Sequence, residues 1–287
     1  MKIMKHYKIF VAFSAIFILA GLLAVLVWGF NLGVDFTGGT MLSIPFKSAT
    51  DSAAIRESLE PFDLDPVIQQ SAGDSEIVFI KTSQSLNASQ RQEIMAKLKN
   101  DFSLPDDAQM QVELFGPNIG QEISRRAVYS IAIAALGMLI YIWFRFQLTY
   151  GVVAIITLIH DVLMLMGIYA LFRITVDGSF IAAVLTIVGY SINDTIVIFD
   201  RIRESAKGVG KKEYWALTGR SIDRSLSRSV VTSMTTSVVV LMLYIFGVHS
   251  VKIFALPLFW GIIVGTYSSV CIAGPLWALI VTRKQVK

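Results

Sequence analysis

Asn193 and Asp194 sit side by side inside an apolar run that extends from Phe180 to Phe199. A helix of about 20 residues crosses a hydrocarbon core of roughly 30 Å, so this run has the length of a membrane span. An ionised carboxylate at the centre of a bilayer costs roughly 2.5 to 3.5 kcal/mol on insertion scales, and intramembrane acids for that reason mark functional positions. The chemistry open to such a residue is proton binding. A carboxyl holds its proton more tightly when buried and less tightly when a guanidinium approaches, so relative movement of two helices loads and unloads it. Each proton that crosses a potential of about 100 mV supplies roughly 2.3 kcal/mol, enough to bias a two-state element. The competing reading of Asp194 is a static carboxylate, hydrogen-bonded to hold helices in register.

Thr186, Gly189, Tyr190 and Asn193 form a polar edge on the same run, with Asp194 bordering it. A later apolar segment carries Arg228, Thr232 and Thr235 on one line and Ser225, Ser229, Ser233 and Ser237 on another, at a strict spacing of four. Small residues at that spacing let helices approach closely. If the two polar edges face each other, Asp194 meets Arg228; alternatively Arg228 sits at the inner interface against lipid phosphates. His160 and Asp161 make a second intramembrane polar pair. Adjacent helical residues diverge by about 100°, so these two need not touch.

The elements that must position these groups are membrane helices. Of 287 residues, 54% are hydrophobic and 16% charged, and the mean hydropathy is +0.63, which excludes an ordinary soluble domain. Lys2, Lys5 and Lys8 precede a first span, Ile9 to Trp28, and place the amino terminus in the cytoplasm. The run is too long for the apolar region of a cleavable signal. Five more spans are expected at about 127–144, 148–172, 180–199, 229–248 and 254–281, and they return the carboxyl terminus, with Arg283, Lys284 and Lys287, to the same side. A cytoplasmic loop over 200–228, with eight Lys or Arg against four acids, agrees with that topology.

Between Asn31 and Glu122 the composition becomes that of an exported soluble domain, with 14 acids against 6 bases, a net of 6 − 14 = −8. Its pattern predicts strands at 41–46, 66–70, 76–81 and 109–115 and helices at 51–59 and 88–100, a βαββαβ order that fits a ferredoxin-like α+β unit. The chain therefore divides into residues 1–30, with the amino terminus and first span, an extracytoplasmic domain over 31–124, and a five-helix block over 125–287.

Enzyme chemistry has no support. The chain lacks a G-x-S-x-G elbow, an H-E-x-x-H pair and a Cys/His cluster, and it has one cysteine, Cys271. GVDFTGGT lacks the lysine and following helix of a phosphate loop. No cofactor, metal or nucleic acid is expected, the basic loop being explained by topology.

Taken together, GVDFTGGT (Gly33 to Thr40), the pair His160 and Asp161, GYSINDTIVIFDRIRE (Gly189 to Glu204) and SLSRSVVTSMTTS (Ser225 to Ser237) resemble the SecF family of bacterial protein export. The resemblance covers nearly the whole chain, although VDFTGG is shared with SecD. It implies half of an RND-type transporter, six transmembrane helices with a ferredoxin-like extracytoplasmic domain between helices 1 and 2. It further implies an accessory subunit in the bacterial plasma membrane. With SecD as its partner, such a subunit uses the proton motive force to help the SecYEG translocon, and indirectly SecA, move and release unfolded polypeptide. On the same resemblance Asp194 and Arg228 belong to a proton relay that SecD completes, with Asn193 beside them and His160 and Asp161 as further candidates. An unfused form is expected. Alternatives are an RND-like half-transporter of a lipid or small molecule, and a scaffold that transports nothing.

Overall fold

The computed structural model describes residues 2–46, 50–70, 76–105, 108–145, 147–210 and 213–283. Lys284 and Lys287 lie outside the described residues. After one helical turn at Lys2–Lys5, the first long helix, α1, spans Tyr7–Trp28. A single-turn helix α2 (Val34–Thr37) leads into strand β1 (Gly39–Phe46), and helix α3 (Ser52–Leu59) precedes strands β2 (Val67–Gln70) and β3 (Glu76–Thr82). Helix α4 (Ala88–Phe102) and strand β4 (Gln111–Phe115) complete the domain. The remainder is helical: α5 (Pro117–Arg145), α6 (Leu148–Leu171), α7 (Gly178–Ser205), α8 (Tyr214–Phe246), α9 (His249–Ser268) and α10 (Gly274–Arg283).

The small domain has an antiparallel sheet in the order β2-β3-β1-β4, the arrangement of a ferredoxin-like unit. Alternation decides which face is covered: Leu42, Ile44 and Phe46 of β1 and Val78 and Ile80 of β3 point to one side, where they pack on Ile55 and Leu59 of α3 and Ile94 and Leu98 of α4. Both helices start where local chemistry allows. The Asp51 carboxylate accepts the Ala53 N–H at 2.9 Å, and Asn87 and Gln90 form a reciprocal capping box.

Six helical segments among the described residues are long and apolar enough to cross a membrane, the last running from Ser250 to Thr282 through α9 and α10. That last segment is not a uniform helix: Ser269–Ala273 widens into a π-turn. Pro275 lacks an N–H for the carbonyl four residues back, and its ring crowds that carbonyl, so a wider turn relieves the conflict. α7 is the centre of the bundle and packs against α5, α6, α8 and α9. α1 lies on α6 at a glycine contact so close that a Cβ at Gly21 would stand 2.5 Å from Gly167 Cα.

One expectation fails here. Residues 200–228 do not form a loop; α7 continues to Ser205 and α8 begins at Tyr214, leaving a short turn near Gly208, whose φ is 76°. The charges suggest a loop, but Arg201, Glu204, Arg220, Asp223, Arg224 and Arg228 occupy the outer faces of two helices that extend beyond the apolar runs, while Leu217, Thr218, Ser221 and Ile222 bury the inner face.

The domain and bundle are joined by a compact clasp. The Gly33 N–H donates to Val176 O at 2.7 Å and the Val176 N–H to Asn31 O at 2.8 Å, so the segment after α1 runs alongside the α6–α7 connection. Asn31 Nδ2 donates to Arg173 O, and Arg173 Nη1 in return donates to the Trp28 and Gly29 carbonyls at the end of α1. Asp35 Oδ2 accepts the Gly178 N–H at 2.7 Å, and Asp177 accepts the Phe180 N–H at 3.2 Å. Two carboxylates therefore cap α7, and one of them belongs to the segment that enters the small domain.

Burial pushes the Asp177 carboxyl up from its ordinary range, against the opposing pull of the Lys81 ammonium and the Phe180 N–H. A folded-state value above the unfolded one means that the contribution to stability is fully present below the unfolded value and is lost as pH rises through the folded value. Asp177→Asn keeps a capping oxygen and cannot ionise. The thermal midpoint of the variant is expected to gain on that of the wild type as pH rises above the normal aspartate range, and a constant difference would contradict the assignment.

Candidate functional site

Asp194 lies midway along α7 and keeps 8% of its surface exposed. Its Oδ1 accepts a hydrogen bond from Ser229 Oγ of α8 at 2.6 Å. Its Oδ2 is buried and has no hydrogen-bond partner among the described residues. The serine stripe explains the approach: Ser225, Ser229 and Ser233 are all buried in the α7–α8 contact, where larger side chains would hold the helices apart. One turn earlier the Tyr190 hydroxyl donates to Ser233 Oγ at 3.3 Å, and Thr266 Oγ1 of α9 donates to the same oxygen at 2.6 Å.

The spacing leaves Arg228 two placements, against Asp194 or at the inner end of the helix. Among the described residues Asp194 and Arg228 form no ion pair. Because Ser229 points at Asp194, the preceding residue is rotated by about 100° around α8 and aims away. Arg228 is exposed and lines a cavity of about 380 Å³ with Tyr141 of α5, Ile196, Val197, Asp200, Arg201 and Glu204 of α7, and Arg224 and Ser225 of α8. Asn193 is exposed as well. With Ala182, Thr186 and Gly189 it forms an open face of α7, at spacings of four, three and four, that runs into the wall of that cavity. A membrane helix whose uncovered face carries a threonine, a glycine and an asparagine is built to meet another helix rather than lipid. Thr232 and Thr235 of α8 are exposed too.

His160 and Asp161 do touch, with Nδ1 and Oδ1 3.0 Å apart. Asp161 is 2% exposed, and its Oδ2 accepts from Ser191 Oγ of α7 at 2.5 Å. His160 Nε2 meets Ser14 Oγ of α1 at 2.9 Å, and Ser14 Oγ lies 3.0 Å from the Tyr267 hydroxyl of α9. Among the described residues this second cluster makes no hydrogen bond to Asp194. It meets α7 at Ser191, one turn before Asp194 on neighbouring parts of the same helix face, and Ser268 of α9 stands beside the Asp161 carboxyl. Thr195 Oγ1 and Ser269 Oγ of the π-turn, 2.7 Å apart, add a further buried polar contact next to both.

Sequence reasoning missed Ser229, Ser14, Ser191, Tyr267 and Asp35 as partners. Ser229 was visible as one member of a small-residue stripe, yet nothing in the spacing distinguishes the serine that bonds a carboxylate from those that only permit close packing. Removing its hydroxyl leaves the buried Asp194 carboxylate with no donor on either oxygen, a loss of about 1 to 3 kcal/mol. Ser229→Ala is expected to lower the thermal midpoint by several degrees, whereas Ser237→Ala, in the same stripe, leaves it in place.

The arrangement matches known proteins along the chain. The family described as protein export membrane protein SecD/SecF, C-terminal, matches residues 94–283, and the SecD/SecF GG motif matches residues 26–50. A protein translocase subunit SecF from Desulfurispirillum indicum is 39% identical over 273 residues, covering 93% of this chain and 87% of the relative. Another from Rhodothermus marinus is 35% identical, covering 95% and 90%. The crystal structure of SecDF, a translocon-associated membrane protein from Thermus thermophilus, superimposes with a TM-score of 0.84 at 34% identity. It covers 99% of this chain, which spans 39% of that longer one.

Proposed function

Because this chain belongs to the SecD/SecF family of protein export membrane proteins, a multi-pass membrane protein with a role in protein translocation, we propose that it is the SecF-type subunit of a proton-driven, non-enzymatic export motor. Its family supports a SecD partner. In our reading that partner covers the open face of α7 and α8 and brings the second half of the proton site to Asp194. The observation that carries this is the buried Oδ2 of Asp194, which has no hydrogen-bond partner among the described residues and stands beside an exposed polar helix face. A carboxylate oxygen with no donor inside a membrane is satisfied by taking up a proton or by a donor from another chain.

Arg228, next to Ser229 and about 100° further around α8, would reach Asp194 by a turn of α8 in that direction, and that turn would displace Ser229 from Oδ1. Proton uptake and Arg228 approach are thus alternative ways to satisfy the same carboxyl, and Asn193 lies where the second chain would contact both. The clasp at Asp35 and Asp177 holds the start of α7 to the small domain, so displacement of α7 reaches the far side of the membrane. The basic residues near both termini and at the inner ends of α7 and α8 orient the bundle with its termini in the cytoplasm of the cell and the acidic domain outside. There the domain would handle unfolded polypeptide emerging from SecYEG, after SecA has acted on the other side.

The test is an export assay in membrane vesicles containing SecYEG, SecA and SecD, with and without this chain. Stimulation by the chain is expected only while a proton gradient is maintained. Equal stimulation after the gradient is collapsed with an uncoupler would refute the proposal.

A further inference from the structure

The contacts around His160 fit two hydrogen-bond arrangements that differ by one proton. In one arrangement the Tyr267 hydroxyl donates to the Phe10 carbonyl of α1, at 2.8 Å, so Ser14 must donate to Tyr267 across their 3.0 Å contact. Ser14 has a single proton. It cannot then donate to His160, so Nε2 must itself carry a proton and donate to Ser14. One further proton lies between Nδ1 and Asp161 Oδ1, and the pair is net neutral, as imidazolium with carboxylate or as imidazole with carboxylic acid.

A second arrangement uses the same heavy-atom positions. Tyr267 turns from the Phe10 carbonyl to donate to Ser14, Ser14 turns to donate to an unprotonated Nε2, and Nδ1–H donates to the Asp161 carboxylate. The pair now holds one proton fewer and carries a charge of −1. Ser191 Oγ donates to Asp161 Oδ2 in both, and Ser268 of α9 stands beside the same carboxyl. Around this cluster the other ionisable groups are Tyr267 of α9 itself, Cys271 of the π-turn next to it, and Asp194 one turn further along α7. On α1 the nearest ionisable residue is Lys8.

We propose that Ser14, His160, Asp161, Ser191 and Tyr267 form a second proton-binding centre, separate from Asp194, in which gain of one proton reverses the direction of a hydrogen-bond wire between α6 and α1. The ligand is a single proton, and the two rotating hydroxyls let it be accepted without moving a helix. The wire ends on the backbone of α1, the helix that leads into the exported domain. Its place in an export cycle rests on the proton-driven reading above; its chemistry does not.

The full chain, labelled with 15N-histidine and held in lipid bilayers, tests this by solid-state NMR. It has three histidines, His6, His160 and His249, and a His160→Gln spectrum identifies the signals of interest. As pH falls from about 9 to 5, His160 is expected to change from the form protonated on Nδ1 alone to one protonated on Nε2. Ser14→Ala and Tyr267→Phe, which break the wire with little change in volume, are expected to move the midpoint by about one pH unit or more. A single tautomer at all pH values, or an unmoved midpoint in both variants, would overturn the proposal. A fixed tautomer together with lost export in Asp194→Asn would sink this centre and leave the Asp194 reading standing. A tautomer switch together with unimpaired export in Asp194→Asn would do the reverse.

Discussion

Asp194→Asn is expected to abolish gradient-dependent stimulation of export, reducing it to the level of vesicles that lack the chain. The substitution is nearly isosteric. The amide oxygen still accepts the Ser229 hydroxyl at the Oδ1 position, so the α7–α8 contact and its buried serines persist. What disappears is the capacity to exist in two charge states. An amide neither takes up a proton nor draws Arg228 towards it, so the proposed alternation between Ser229 and Arg228 would have no driving group. Asn puts a neutral amide nitrogen at the unpartnered Oδ2 position and removes the cost of burying a charge there, so the variant is expected to be no less thermally stable than the wild type. Loss of function without loss of stability separates a working carboxylate from a structural one. Arg228→Ala is expected to share the defect, since it removes the alternative partner while leaving Asp194 in place.

Gly39→Val is expected to unfold the small domain. Gly39 opens β1 with a φ of 132°, a conformation that L side chains rarely adopt. A Cβ there would stand 2.1 Å from the Thr82 carbonyl oxygen and 2.8 Å from Ser83 Cα, both backbone atoms that cannot swing aside. Forcing β1 away from the end of β3 disrupts the central pair of the sheet, and the combined strain and lost pairing cost about 3 to 5 kcal/mol. Limited proteolysis should cleave the variant between residues 50 and 105 while the helical bundle stays protected. A protected domain in Gly39→Val would show that the tight entry into β1 is not what holds the sheet. The preceding glycine also has a positive φ, 74°, so the paired glycines of GVDFTGGT are a backbone requirement at the point where chain leaves the clasp and enters the sheet.

Much of this architecture is legible in the sequence, for identifiable reasons. The spans are long apolar runs, and the strands and helices of the small domain have clean period-two and capping signals at Asp51 and Asn87. Where charge and periodicity disagree, as at Asp200 to Ser205 and Tyr214 to Arg228, charge misleads, because helices continue beyond the bilayer once one face is still buried. The π-turn at Ser269–Ala273 leaves only Pro275 as a trace. In the site, Asp194 is conspicuous because a carboxylate in an apolar run is costly. Its contact is not: a one-residue rotation decides whether Ser229 or Arg228 meets it, and spacing does not resolve 100°. The His160–Ser14 contact joins residues 146 apart, and no local pattern encodes it. Asp35 belongs to the GVDFTGGT motif, but its hydrogen bond to Gly178 depends on how the clasp folds.

On the function proposed above, Asp194 carries protons across the membrane once a second chain completes its site. Proton entry into vesicles holding this chain and SecD, followed with a pH-sensitive dye under an imposed potential, tests it most directly. Flux is expected in the wild type, none in Asp194→Asn, and none from this chain without SecD. Equal flux through wild type and Asp194→Asn would contradict it.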